Sequence, residues 1–107
     1  MRLVREQDFE GAWDVTELLS ELSGVDFDHL LSVVRQLEKT HSNASKIVGT
    51  CAALFLLHTL FSDREDEWRL IAEKATAWIQ MHNILLPEYT GDLMTWMVEI
   101  MTQNGLI

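Results

Sequence analysis

The chain has 107 residues, of which 48% are hydrophobic, and a formal net charge of −9. This length suits a single helical domain, residues 1–107, with one apolar core, and the hydrophobic content excludes an intrinsically disordered chain. The negative charge disfavours direct binding to nucleic acids and to anionic membranes, and it predicts a protein partner with a basic surface.

The single cysteine, Cys51, excludes a disulfide within the chain and fits a reducing compartment. The first six residues lack the apolar core of a secretory signal, so we expect a cytoplasmic protein. Five glycines, one proline and few β-branched runs favour helices over a turn-rich β fold. The predicted fold class is all-α, a compact bundle of about five helices around a central apolar helix.

The first two predicted helices have recognisable ends. The first runs from Asp8 to Leu22 and is followed by Ser23-Gly24, a typical C-terminal glycine. The second runs from Phe27 to Thr40 and has Asp26 as its N-cap. Ser42-Asn43 then offers a cap for the helix that follows.

The third helix, predicted over Ala44–Phe61, forms the centre of the predicted bundle. Its segment Ile47–Phe61 holds fifteen residues without a charge, and a helix that is apolar all round is usually buried. A membrane span needs about 20 apolar residues, and this run is shorter and contains His58. We therefore expect it inside a bundle. The side chains predicted to be nearly inaccessible are Ile47, Cys51, Leu54, Phe55 and Leu57.

The last two predicted helices follow from caps and periodicity. Ser62 and Glu65 have the spacing of a capping box, which predicts the start of the fourth helix. The fifth starts near Thr90 or Gly91 and ends at Asn104-Gly105. Residues three and four apart give the fourth helix one buried face. That face consists of Trp68, Ile71, Ala72, Ala75, Trp78, Ile79 and His82.

The first predicted helix has an unusual distribution of charge. Residues 6–28 contain eight acidic side chains and no basic one. On a continuous helix, five of these acids fall within roughly an 80° arc, and like charges so spaced cost about 0.2–0.5 kcal/mol per pair. The stripe predicts a docking surface for a basic protein, and a solvated face is the alternative. The five acids are Glu6, Glu10, Asp14, Glu17 and Glu21.

Two aromatic residues, Phe9 and Trp13, lie near the edge of this acidic arc on the predicted helix. Aromatic side chains beside complementary charge are typical of interface hot spots, which favours a partner-binding role for both. The alternative is that the rings fold into the core, since tryptophan is highly buried on average.

The fifth helix is too apolar for one buried face. Met94 and Val98 widen its apolar arc to roughly 200°, against about 100° for an ordinary amphipathic helix. Core packing and a foreign partner are two explanations, and a homodimer through Met94, Val98 and Met101 is a third.

Neither a metal site nor a catalytic motif is predicted. Glu38 and His41 have the Glu-x-x-His spacing of di-iron bundles, but those sites need a second such pair and two further glutamates. His58 and His82 lie among apolar residues and are expected to be hydrogen-bonded core histidines, whereas His29 is expected to be solvated. We therefore expect no cofactor, no metal and no catalytic residue.

The leading hypothesis is a non-enzymatic protein-binding protein, an inhibitor or adaptor that docks an acidic helix on a basic surface. A nucleic-acid-binding protein is one source of such a surface. The alternative is a small structural subunit of a homo- or hetero-oligomer, associating through the C-terminal helix. A carboxylate–histidine metal enzyme is a third, more distant option.

Overall fold

The computed structural model describes residues 2–39, 41–82 and 93–103, and all of its regular structure in these ranges is helical. Within these ranges, six α-helices and one 3₁₀ turn follow one another along the chain. They are α1 (Arg2–Arg5), α2 (Glu17–Ser23), α3 (Phe27–Glu38), α4 (Ala44–Leu60), the 3₁₀ turn (Ser62–Arg64), α5 (Glu65–Met81) and α6 (Leu93–Gln103). The predicted all-α fold is confirmed.

Helix α4 lies at the centre of the molecule, as its uncharged sequence predicted. It contacts α2, α3, α5 and α6, and it is buried on all sides from Ile47 to Leu54. Four of the five predicted core side chains of this helix are buried, and Phe55 is half-buried. Only the last turn, from His58 to Leu60, is exposed along its length. Because neighbouring helices surround it, α4 is apolar on all sides, whereas a surface helix has only one apolar face.

The ends of α2 and α3 form as predicted. Gly24 adopts φ +73°, and its N–H donates to the Ser20 carbonyl, which closes the end of α2. The Asp26 carboxylate accepts a hydrogen bond from the Asp28 N–H at 3.2 Å and caps α3. Asn43 precedes α4 but makes no side-chain cap bond.

Helix α5 has the predicted buried face but not the predicted start. Of the seven residues predicted for this face, Ile71 and His82 are half-buried and the other five are buried: Trp68, Ala72, Ala75, Trp78 and Ile79. The predicted capping box of Ser62 and Glu65 is wrong. Residues 62–64 form a 3₁₀ turn, so the residue before α5 is Arg64, and its side chain makes no capping hydrogen bond. The Trp68 indole N–H donates to the Phe61 carbonyl at 2.7 Å, which ties α5 to the end of α4.

Helix α6 packs against α4 through one face. Trp96, Met97 and Ile100 are buried, and the Trp96 ring stacks on Phe55 at a centroid distance of 5.8 Å. The predicted ends of this helix, at Thr90 or Gly91 and at Asn104-Gly105, lie outside the described residues.

No single helix in the described ranges is both long enough and apolar enough to cross a membrane. The segments Ala44–Leu60 and Ser62–Met81 meet the length and composition criteria only as a pair, and the pair is bent by 89°.

The helix predicted from Asp8 to Leu22 is wrong over its first half. Residues 6–16 are turn and extended chain, and α2 begins only at Glu17. Gly11 adopts φ +102°, a left-handed conformation that interrupts a right-handed helix. Thr16, at φ −131° and ψ 167°, is extended and ends the non-helical segment. We call residues 6–16 the N-terminal strap.

Candidate partner-binding surface

The N-terminal strap crosses the surface formed by α4 and α5. On the α4 side, the Trp13 N–H donates to Thr50 Oγ1 at 2.9 Å. On the α5 side, the Gln7 side-chain amide donates to the Ile71 carbonyl at 3.1 Å. These contacts join positions 37 and 64 residues apart in the sequence. The strap is therefore held by tertiary contacts instead of its own helical hydrogen bonds.

Gly49 allows the strap to lie directly on α4. A Cβ atom at this position would overlap the Trp13 carbonyl oxygen and would lie 2.8 Å from the Asp14 carbonyl oxygen. Both are backbone atoms, which cannot rotate away as the end of a flexible side chain can. The absence of a side chain at Gly49 is thus what permits the close approach.

Trp13 anchors the strap in the core. Its side chain is 1% exposed, and its indole N–H donates to the Leu3 carbonyl at 2.8 Å, so the ring also holds α1. The ring is therefore not accessible to a partner, and its predicted role in partner binding is wrong. Burial arises because the strap is not helical, which turns the Trp13 side chain toward α4 and α1.

Asp8 organises a tight turn at the start of the strap. Its carboxylate Oδ1 accepts hydrogen bonds from the Glu10 N–H at 2.9 Å and from the Ala12 N–H at 3.0 Å. Its own N–H donates to the Ala12 carbonyl at 2.8 Å, and the Gly11 N–H donates to the Asp8 carbonyl at 3.1 Å. We call residues 8–12 the Asp8 turn. It is the Asx type of turn, in which a side chain replaces helical backbone bonds.

The charges of the Asp8 turn are balanced by Lys46 on α4. Asp8 Oδ2 lies 3.3 Å from Lys46 Nζ. Partial burial raises the pKa of Asp8, but the hydrogen bonds from the Ala12 N–H, the Lys46 ammonium and the Glu10 N–H outweigh it, and the pKa lies below its ordinary value. The pKa of Lys46 is raised, first by its hydrogen bond to Asp8 and then by the nearby carboxylates of Glu10 and Asp14.

Phe9 lies at the tip of the Asp8 turn and is 86% exposed. Large apolar side chains normally lose water contact on folding, and burying a phenylalanine side chain contributes about 1.5–3 kcal/mol. Here the hydrogen bonds on both sides of the ring fix the backbone that carries it. The turn thus presents a pre-positioned aromatic side chain to solvent.

The five predicted acids are exposed, but they do not form one helical stripe. Glu10 and Asp14 lie near Lys46, beside the Asp8 turn. Glu6 accepts a hydrogen bond from the Thr16 hydroxyl at 3.1 Å, which brings it to the start of α2. Glu17 and Glu21 lie one turn apart on α2. The structure therefore brings the acids together in smaller groups along the strap and α2.

The predicted oligomer contact on α6 is described only at Val98, whose side chain is 46% exposed. The side chains of Met94 and Met101 lie outside the described residues. Val98 lies on the other side of α6 from the buried Trp96 and Ile100.

The histidines fall into different environments. The prediction of His58 as a core histidine is wrong, because it lies in the exposed last turn of α4. Its ring meets the ring of Trp68 edge to face, with the two centroids 4.9 Å apart. His82 is half-buried, and its ring is tilted by 33° to the ring of Trp78, with the two centroids 4.2 Å apart. Its Nδ1 lies 2.9 Å from the Trp78 carbonyl, and its Nε2 lies 3.3 Å from Asn43 Nδ2. In the neutral tautomer that fits both, Nδ1–H donates and Nε2 accepts. His29 is exposed, as expected.

The described residues contain no cluster of three or more His, Cys, Asp or Glu side chains able to hold a metal ion. Burial without a compensating charge raises the pKa of the Cys51 thiol to about 12. A thiol with this pKa is protonated at neutral pH, and the thiolate is the nucleophilic form. Cys51 is thus a small core residue of α4.

Sequence reasoning missed the Asp8 turn, although a signal for it was present. Asp8-Phe9-Glu10-Gly11 has aspartate at the first and glycine at the fourth position, as in many type I turns. The acidic periodicity across the same residues suggested a helix instead. The exposure of Phe9 follows from this turn.

Comparison with known proteins gives a partial similarity to a much longer human protein. No protein-family model matches the chain, and no solved structure matches it significantly. Human von Willebrand factor A domain-containing protein 5A is 28% identical over 82 residues, which make up 77% of this chain. The same residues make up 10% of the human protein, so the chain spans about a tenth of its curated relative.

Proposed function

We propose that this chain is a non-enzymatic protein-binding domain, acting as an inhibitor or adaptor. It docks the Asp8 turn and the surrounding acids on a partner with a basic surface. The observation that carries the proposal is Phe9, which is 86% exposed on a turn fixed by hydrogen bonds to Asp8. An aromatic anchor on a backbone that is already ordered loses less entropy on binding than one on a flexible loop.

The charges around Phe9 support a basic partner. Glu10 and Asp14 are exposed beside the turn, Glu17 and Glu21 continue the acidic surface along α2, and the whole chain carries −9. Such a surface steers a basic partner and mainly raises the association rate. The phenyl ring would supply the desolvated contact that slows dissociation.

The similarity to human von Willebrand factor A domain-containing protein 5A supports a modular role. The similar segment is 10% of that protein, so a sequence of this kind occurs within a much longer polypeptide. Domains of this size are common units of longer chains.

Phe9→Ala is expected to weaken partner binding by about 30-fold or more, the range of interface hot spots, with little change in stability. The experiment captures the partner on the wild-type protein and measures its affinity by surface plasmon resonance. Leu60→Ala removes another exposed apolar side chain, at the far end of α4, and serves as the matched control. Equal affinity of the Phe9→Ala and wild-type proteins would refute the proposed anchor.

The same assay with charge-reversed variants tests whether the acidic residues contribute to binding. Reversal of Asp14 and Glu17 to lysine should slow association and make the complex less sensitive to salt. Reversal of Glu38 and Asp66, which are exposed elsewhere, is the control of equal charge change. Little net change in stability is expected from the reversal. Asp14 lies near Lys46 and has no helical neighbour to repel. At Glu17, relief of the repulsion from Glu21 is offset by a cation in the first turn of α2.

A second candidate function is a structural subunit joined through α6. Val98 favours it, because this apolar side chain is 46% exposed on a helix whose opposite face is buried against α4. This candidate requires self-association or a salt-tolerant partner. Sedimentation of the wild-type protein as a monomer at all accessible concentrations would exclude the homo-oligomer.

A further inference from the structure

Lys46 is a cation at a position where two effects disfavour one. It is the third residue of α4, and the amino end of a helix is the positive end of its dipole. It also lies near the carboxylates of Glu10 and Asp14, beside the turn to which the proposed function assigns a basic partner, and its charge would repel that partner. Its contact with the strap is what offsets these two effects.

That contact is with Asp8, and it fixes one half of the carboxylate. Lys46 Nζ lies 3.3 Å from Asp8 Oδ2, and both side chains are half-buried. The other oxygen, Oδ1, accepts the hydrogen bonds from the Glu10 and Ala12 N–H groups at 2.9 and 3.0 Å. One oxygen therefore closes the turn, while the other ties the closed turn to α4. Phe9 lies between Asp8 and Glu10, so its backbone position depends on both.

Lys46 binds a part of the strap that the other polar contacts of α4 do not hold. Ser45 Oγ accepts a hydrogen bond from the Val15 N–H at 3.4 Å, and Thr50 Oγ1 accepts one from the Trp13 N–H at 2.9 Å. Both of these contacts hold residues that follow the Asp8 turn. Among the described residues, Lys46 is thus the side chain of α4 with a polar contact to the turn itself.

We propose that Lys46 is a positioning residue of the docking surface, which holds the Asp8 turn in the conformation that presents Phe9 even though its charge repels a basic partner. This rests on the proposed function, in which Phe9 is the contact with that partner. Lys46 acts through Asp8 and does not itself bind the partner. Charge and positioning then predict opposite results: removing the ammonium makes the surface more acidic, yet binding should become weaker.

In the free protein, Lys46→Met tests the positioning role without a partner. The substitution removes the ammonium and keeps an unbranched side chain. Exchange of the Glu10 and Ala12 amide protons, measured by NMR, should become about two- to fivefold faster, the range expected for a partly exposed ion pair. Lys46→Arg keeps the ion pair and should restore the wild-type rates. Lys74→Met makes the same change on α5, where the Lys74 side chain lies against Gly11 without a salt bridge among the described residues, and should leave the rates unchanged.

The carboxyl titration of Asp8, followed by carbon NMR, is a second readout that a merely structural role of Lys46 would not change. The pKa of Asp8 lies below its ordinary value, so the contribution of the ionised carboxylate to the turn is lost as the pH falls through that pKa. In Lys46→Met the pKa should rise, and the turn should open at a higher pH. Glu10, Asp14 and Lys74 are the other charged side chains beside the turn, and they are the same in both proteins.

Binding separates positioning from charge. The affinity is measured for the protein captured on the wild-type chain, as for Phe9→Ala. Lys46→Met should weaken binding by about threefold, and Lys74→Met should not weaken it. In a Phe9→Ala background, Lys46→Met should cause no further loss of affinity, because it acts through the phenyl ring.

Unchanged amide exchange and an unchanged Asp8 pKa in free Lys46→Met would overturn the proposal, as would tighter binding by this variant. If Phe9→Ala still binds weakly, the proposed function survives that result. If Phe9→Ala binds as tightly as the wild type, the proposed function itself fails.

Discussion

Replacing Trp13 with alanine is expected to destabilise the folded protein by about 3–5 kcal/mol, the usual cost of removing a buried tryptophan. The ring is 1% exposed and its N–H is hydrogen-bonded to the Leu3 carbonyl. Its loss would leave a cavity between α1, the strap and α4. Small domains have a total stability of about 5–15 kcal/mol, so this change would remove a large part of it.

Urea unfolding of wild type and variant measures the effect, and two phenylalanine variants separate its parts. Trp13→Phe keeps an aromatic ring but leaves the Leu3 carbonyl without its donor. Trp78→Phe makes the same change in volume at a site where the indole N–H has no acceptor among the described residues. Trp13→Phe should therefore cost about 1 kcal/mol more than Trp78→Phe. A Trp13→Ala protein as stable as the wild type would show that the strap is not anchored in the core.

The three longest helices were predictable because their signals are local and mutually consistent. Asp26 caps α3, the uncharged run after Lys46 requires burial of α4, and the buried face of α5 repeats every three and four residues. At α3 the apolar spacing and the cap agree, whereas α4 and α5 were predictable from their apolar residues alone, because the expected caps at their starts do not form.

The strap was not predictable from periodicity, because its conformation depends on distant residues. The regular spacing of the acids from Glu6 to Glu21 suggested a helix that the chain does not form. Trp13 stood at the edge of the acidic arc of that helix, away from its apolar face. The structure resolves this conflict by burying the ring through contacts with Thr50 and Leu3, which no local pattern shows.

The candidate sites depend on the same tertiary contacts. On a helix, Phe9 and Trp13 are four residues apart and share a face. In the strap, one ring is exposed and the other is buried. The sequence showed which residue types were unusual, whereas the fold decides which of them reach the surface.

Gly49→Ala is expected to destabilise the protein by at least about 1–3 kcal/mol, the usual cost of overpacking. The sign is informative, because glycine to alanine inside an ordinary helix stabilises it by about 0.5–1 kcal/mol. At this position the new methyl group would overlap the backbone carbonyls of Trp13 and Asp14. The strap would have to move off α4, and the hydrogen bond from the Trp13 N–H to Thr50 would lengthen or break.

Hydrogen exchange at the Trp13 amide distinguishes strap displacement from a general loss of stability. In Gly49→Ala this amide should exchange faster than the global unfolding rate allows, since its acceptor lies on α4. Gly24→Ala is the control: its φ of +73° also disfavours a side chain, but no atom lies within 4 Å of the added methyl group. That variant should be destabilised while its Trp13 amide stays protected up to global unfolding. A Gly49→Ala protein that gains stability would mean that the strap does not lie against α4 at this point, and the fixed presentation of Phe9 would lose its structural basis.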